Sequence, residues 1–406
     1  MIRFLTAGES HGKALTVILE GIPANLKVDV DYINHQLKRR QSGYGRGNRM
    51  KIESDKVEVL SGLRFGKTLG TPITLQIENK DWVNWQDKLD PYTPYDVEKI
   101  SIPRPGHADL NGIIKYNYDD IRNVIERASA RETAARTAAG ALCKIFLEHF
   151  EIYTGSFVES IGGVFAKDNF VENIFNNKNV IDAKEIASKA DESIFRVLDR
   201  NHEDEIKKTV DDIIAKGDTA GGTFYVIATG LIPGLGSYVH FDKKLDADIA
   251  LSIMSINAVK GVEIGKGFNS SIIRGSQNND EIFIDGESFS RRTNFAGGIE
   301  GGITTGLPII VRAAMKPIST LAEPINSIDL STMEETKSRW ERSDFAAVPA
   351  CAVIAEGMLA YSLANALLSK FGGDSIEEIE RNFMDYKLNY FNQVKENFSK
   401  DINAKD

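Results

Sequence analysis

Two of the chain's six histidines sit in short loops whose other residues form turns or hold anions. His11 lies in Gly8-Glu9-Ser10-His11-Gly12, and His107 in Arg104-Pro105-Gly106-His107-Ala108-Asp109-Leu110. A third loop, Arg342-Ser343-Asp344, places a carboxylate beside a guanidinium. Each sets a proton carrier among Gly, Pro, Ser or Arg. A phosphate dianion next to an imidazole favours the cationic ring, which can then donate a proton. For His11 alone, a turn histidine satisfied by backbone is the plain alternative.

Arginines gather near these loops. Arg39, Arg40, Arg46 and Arg49 read as one loop, and Arg122, Arg127, Arg131 and Arg136 as one helical pattern. The planar guanidinium fork suits phosphate and carboxylate, so runs this poor in acids point to a small polyanionic ligand. The stretch from Arg40 to Arg49 carries three glycines and offers backbone amides to an anion, yet it is neither GxGxxG nor a Walker A loop. The glycines of Gly301-Gly302-Ile303-Thr304-Thr305-Gly306 allow a flat ligand to approach the backbone. Lys316-Pro317-Ile318-Ser319-Thr320 offers an ammonium and two hydroxyls to a terminal phosphate. Residues 8 to 12 also fit GxSxG, which would make Ser10 a hydrolase nucleophile; that motif needs a following helix, and a strand pattern follows instead. At this level an enzyme acting on an anionic ligand, a hydrolase built on Ser10 and a non-catalytic anion-binding scaffold all stay open.

With 406 residues, 42% of them hydrophobic, the chain can bury a large core. A formal charge of -9 repels nucleic acid and anionic membrane, so any anion must be held by local clusters. Cys143 and Cys351 lie in Ala-rich helical patterns with no metal-ligand spacing, and are expected to be buried, reduced thiols. The start reads as a strand rather than a signal peptide, which predicts a cytoplasmic protein. Residues 350 to 368 are the most apolar, but Glu356 and Asn365 interrupt them; this predicts a buried packing helix rather than a membrane span.

Strand-like runs at 13 to 22, 57 to 61, 72 to 78, 223 to 233 and 306 to 314 occur with long helices and no regular βαβ alternation. The fold class is therefore α+β, with Ala-rich helices between antiparallel sheets. Val17 to Pro23 is echoed by Val226 to Pro233, and Thr68 to Ile73 by Thr304 to Ile309, in the same order. Each half then reaches an Ala-rich helix, at 119 to 150 and about 349 to 371. We read residues 1–371 as a single catalytic domain of two pseudo-repeated halves, about 1–150 and 220–371. A polar helical excursion at about 166–216 looks peripheral, and 372–406 forms a C-terminal amphipathic helix.

Taken together, GESHG, RRQSGYGRG, RPGHADL, RASARETAARTAAGA, INAVKG, GGITTG, KPIST and RSDFAAVP run in an order that resembles the chorismate synthase family of bacterial type. The resemblance implies a β-α-β sandwich and anti 1,4-elimination of phosphate from 5-enolpyruvylshikimate 3-phosphate, with reduced FMN (FMNH2) required but no net redox change. It implies that His11 protonates or stabilises departing phosphate, that His107 serves flavin near N1, and that Asp344 handles the N5 proton. Substrate would meet Arg40, Arg46, Arg104, Arg131, Arg342 and Ser10. Flavin would meet Arg40, Arg46, Arg127, Ala128, Ser129, Asn257, Ala258, Gly301, Lys316, Pro317, Ile318, Ser319, Thr320 and Arg342, with no metal. Ala128 stands where many relatives carry Ser, so no hydroxyl is needed there. The family further implies a homotetramer, and reduction of flavin by NADPH or by an external flavin reductase.

Overall fold

The computed structural model describes residues 1–47, 54–167, 169–178, 181–341 and 343–399. In the first half, strands β1 (Arg3–Ala7), β2 (Ala14–Glu20), β3 (Val57–Ser61) and β4 (Ile73–Glu78) form an antiparallel sheet in the order β1-β2-β4-β3. Period-2 alternation buries Leu15, Val17 and Leu19 on β2 and Ile73, Leu75 and Ile77 on β4. Helix α1 (Val30–Gln41) lies between β2 and β3, capped by Asp29 and finished by Lys38, Arg39 and Arg40, a basic last turn that suits the helix dipole. Arg39 and Arg40 are thus helical rather than loop residues. After α2 (Asp109–Tyr116) and α3 (Arg122–Ala128), the Ala-rich α4 (Thr133–Glu148) packs on β2 and β4.

The second half repeats this order. Strands β5 (Tyr153–Ile161), β6 (Val164–Phe165), β7 (Gly222–Thr229), β8 (Val259–Ile264) and β9 (Ile309–Met315) form an antiparallel sheet β6-β5-β7-β9-β8. Helices α5 (Ala183–Asp191) and α6 (Glu203–Ala215) belong to the excursion, α7 (Leu245–Met254) sits between β7 and β8, and α8 (Val348–Phe371) packs on β5 and β7. Helices α4 and α8 also pack on one another, and one hydrophobic core takes in residues of both helices and both sheets. Their contact is close because Gly140 faces Gly357: a Cβ built on Gly140 would lie 2.5 Å from the Gly357 Cα. Helix α8 is long and apolar enough to span a bilayer, yet 83% of its most apolar window is buried inside the protein, as a packing helix requires. Both cysteines are buried, and burial pushes their thiols up to about 12.

Two expectations change. The pattern at 119 to 150 is not one helix: Ser129 turns extended, its hydroxyl accepts from the Arg131 N–H, and a short 3-10 turn precedes α4. The excursion is not merely peripheral. It supplies Arg196 and Asp191 to an ion network around Glu356, where Arg39 donates to both carboxylate oxygens at 2.7 and 2.9 Å and Lys144 at 2.8 Å. Burial alone would raise the Glu356 carboxyl, but the charges of Arg39, Lys144 and Arg196 outweigh it and hold the group well below its usual range. Tyr44 joins the excursion too, donating its hydroxyl to Asp211 at 2.5 Å. The C-terminal helix α9 (Ile376–Ser399) buries Ile376, Ile379 and Phe383 against the body. At the other end of the chain the Ile2 N–H donates to Asn365 on α8 at 2.7 Å.

Candidate active site

The turn between β1 and β2 delivers His11. Its backbone N–H donates to the Glu126 carboxylate at 2.8 Å, and its Nδ1 lies 3.0 and 3.1 Å from the two oxygens of the same carboxylate. The imidazole stacks on Trp85 with ring centroids 4.0 Å apart. Ser10 is buried and its N–H donates to the Glu126 carbonyl at 2.9 Å. The strand after this turn rules out the nucleophile-elbow geometry.

The helix break at Ser129 brings Arg131 into the same region. Its Nη1 donates to both Asp55 oxygens at 2.7 and 2.6 Å, and its Nε donates to Asn79 at 3.0 Å. Asn79 donates in turn to the Gly12 carbonyl at 2.8 Å, which ties the arginine to the His11 turn. Arg40 donates to Thr133 at 3.0 Å and to the Ala130 carbonyl at 3.1 Å, with Asp55 at 3.5 Å. Two buried guanidinium groups therefore converge on the Asp55 carboxylate, a concentration of cationic donors that suits an anionic ligand. Burial pushes the Arg40 guanidinium down to about 10, with Asp55 opposing and Arg131 reinforcing that shift.

Arg46 pairs with Asp344 at 3.2 Å, and Asp344 also accepts from the Gly47 N–H at 2.7 Å. A side chain at 47 would collide with the chain at Ser343, since its Cβ would lie 2.6 Å from that carbonyl oxygen. Arg342 and Arg49 lie outside the described residues.

His107 is held by Asp109, the fully buried first residue of α2. Arg104 donates to the same carboxylate from its backbone N–H, Nε and Nη2 at 3.0, 2.8 and 3.1 Å, and to Thr320 at 3.1 Å. Burial would raise Asp109, but the hydrogen bonds from His107 and Arg104 prevail and hold it well below the usual carboxylate range. Lys316 donates to Ser319 at 2.8 Å and to the Gly106 carbonyl at 3.1 Å, joining the segment from Lys316 through Pro317 and Ile318 to Thr320 to the His107 turn. Burial and the neighbouring Lys260 lower the Lys316 ammonium.

Asn257 donates to the Ala128 carbonyl at 3.1 Å, which sets Asn257 and Ala258 beside Arg127, Ala128 and Ser129. Arg127 reaches back to Thr6, donating to its carbonyl and hydroxyl oxygens at 2.8 Å. Gly301 lies in a turn whose Gly302 carbonyl accepts from the Leu245 N–H at the start of α7.

Several residues of the region escaped the sequence reading: Glu126, Asp55, Asn79, Trp85 and Arg339. Arg122 lies 5.0 Å from the Trp85 ring and 3.3 Å from Glu126, and Glu341 bridges it to Arg339. Arg339 also feels the charges of Arg104 and Asp109, so it spans the His11 and His107 sides. Its Nη1 is buried without a partner among the described residues. A carboxylate inside an arginine run was an available signal for Glu126; Asn79 and Trp85 carried none.

The region combines clustered guanidinium groups with two carboxylate-held imidazoles, which suits removal of an anionic leaving group. A family model described as chorismate synthase matches residues 2–368. A chorismate synthase of Aquifex aeolicus strain VF5 is 52% identical over 388 residues, covering 95% of this chain and 97% of the relative. One from Chlorobaculum tepidum is 50% identical over 392 residues, covering 95% and 98%. A solved structure titled as the crystal structure of chorismate synthase aligns with a TM-score of 0.77 and 45% identity, over 97% of this chain and 98% of that one. Matches that span the body of the chain and every element around the two histidines leave one assignment: the chain belongs to the chorismate synthase family.

Proposed function

We propose that the chain carries out anti 1,4-elimination of phosphate from 5-enolpyruvylshikimate 3-phosphate to give chorismate, the last step of the shikimate pathway, in the presence of reduced FMN and without net redox change. The observation that carries this reading is the pair of buried guanidinium groups at Arg40 and Arg131, set beside two histidines each held by a carboxylate. His11 delivers a proton to the departing phosphate. Arg40, Arg46, Arg104, Arg131 and Arg342, with Ser10, bind the phosphate and carboxylates of the substrate or contact the flavin.

The donor set suits FMN. Lys316, with the Ser319 hydroxyl at 2.8 Å, offers a phosphate site, while Asn257, Ser129 and Arg127 offer hydrogen bonds to a polar ring system. When bound there, reduced flavin would supply electron density to the reacting centre. His107 holds or moves a proton near N1, and Asp344 takes the N5 proton.

The common strand order of the two sheets, each with a helix after its second and fourth long strands, supports a β-α-β sandwich built by duplication. Leu5 and Ile18, exposed and opposite one another on the outer face of the first sheet, support burial against further copies in a cytoplasmic homotetramer.

Anaerobic assays of phosphate release and chorismate absorbance test this reading. Photoreduced FMN should support many turnovers per flavin, and oxidised FMN without reductant none. Undiminished chorismate formation with oxidised FMN overturns it. Comparing NADPH with photoreduction separates self-reduction of the flavin from dependence on an external reductase.

A further inference from the structure

We infer that Glu126, with Trp85 behind the ring, is a positioning residue that keeps the Nδ1 proton of His11 in place, so that Nε2 is the nitrogen that gives and regains the proton of the reaction. The inference rests on the lyase reading but names a residue and an atom which that reading leaves open.

Glu126 is 3% exposed and presents both carboxylate oxygens to Nδ1, at 3.0 and 3.1 Å. An ionised carboxylate only accepts hydrogen bonds, so Nδ1 must carry its hydrogen in both the neutral and the cationic ring. Burial would raise the Glu126 carboxyl, but the hydrogen bond and charge of His11, with help from Arg122, hold it below its usual range. The His11 backbone N–H binds the same carboxylate at 2.8 Å, so main chain and ring answer to one group. Trp85 sets the plane of the ring at an interplanar angle of 21°, and its own indole N–H donates to Asp81 at 3.3 Å. Asp109 meets Nδ1 of His107 in a similar way but also accepts three hydrogen bonds from Arg104, whereas among the described residues Glu126 accepts only one from an arginine, Arg122, at 3.3 Å. Glu126 is the cleaner test.

The full-length protein, labelled with ring-¹⁵N histidine and assigned through His11→Asn, should show His11 with a protonated Nδ1 and an Nε2 that alone titrates. Glu126→Gln should give a mixture of tautomers and lower kcat by roughly 10- to 10³-fold with KM for substrate little changed. Glu126→Asp keeps the charge and should restore part of kcat. A wild-type ring with Nδ1 unprotonated, a Glu126→Gln variant at wild-type kcat, or a loss confined to KM would each overturn the proposal. The NMR arm needs no turnover and remains decisive if Glu126→Gln fails to fold. Full turnover in His11→Ala would sink the lyase role of that histidine while leaving the tautomer result standing.

Discussion

Asp55 accepts from Arg131 at 2.6 and 2.7 Å and from Arg40 only at 3.5 Å, so one carboxylate is shared unequally by two buried cations. Asp55→Asn would remove the carboxylate charge that both guanidinium groups meet and should cost about 3 to 5 kcal/mol in denaturant unfolding. A saturating phosphate-bearing substrate should then raise the melting temperature of the variant more than that of the wild type; an equal rise would show that the ligand does not meet these arginines. His11→Ala and His107→Ala should each lower turnover by roughly 10- to 10⁴-fold with the fold intact by circular dichroism. Lys316→Ala should chiefly weaken FMN binding in a fluorescence titration. The histidines, Asp344 and most of the arginines were legible because each sits in a short motif of turn and anion-binding residues. Glu126 was not, since it reaches His11 across 115 positions, and a sequence pattern carries no record of such a pairing.

At the level of elements, the Ala-rich period at 119 to 150 hides a break that local chemistry could have disclosed. Ser129 and Glu132 stand at the spacing of a capping box, and the Ser129 hydroxyl does accept from Arg131. The break matters because it turns Arg131 toward Asp55 and Asn79. The excursion was misread for a different reason: Asp191 and Arg196 look solvated in a polar stretch, and only the fold brings Glu356 to them. The helix pair offers a graded test. Gly140→Ala would press a methyl against Gly357 Cα at 2.5 Å, whereas Gly357→Ala meets Gly140 Cα at 3.1 Å. Overpacking costs of about 1 to 3 kcal/mol are expected, larger for Gly140→Ala, and reversal of that order in urea unfolding would refute the close crossing.

Across the whole molecule, three buried carboxylates, Asp109, Glu126 and Glu356, are held below their ordinary values of 3.8, 4.5 and 4.5. Groups lowered in this way contribute stability that is complete above those ordinary values and lost as pH falls below them. The urea midpoint should therefore stay nearly flat from neutral pH down to about 5 and drop steeply below about 4, and Glu356→Gln should flatten that drop. The mixed class of helix and antiparallel sheet was legible from strand-like runs and Ala-rich helices, because each is a local pattern. The packing of α4 on α8 was not, since that depends on contacts between distant segments. The bond from Ile2 to Asn365 spans 363 positions and has a consequence in biosynthesis. A ribosome adding about 5 to 20 residues per second takes roughly 20 to 70 s to supply the partner of the Ile2 N–H. Until α8 emerges, the residue that leads into β1 lacks this anchor, and a stalled chain ending before residue 348 should be open to protease at that end.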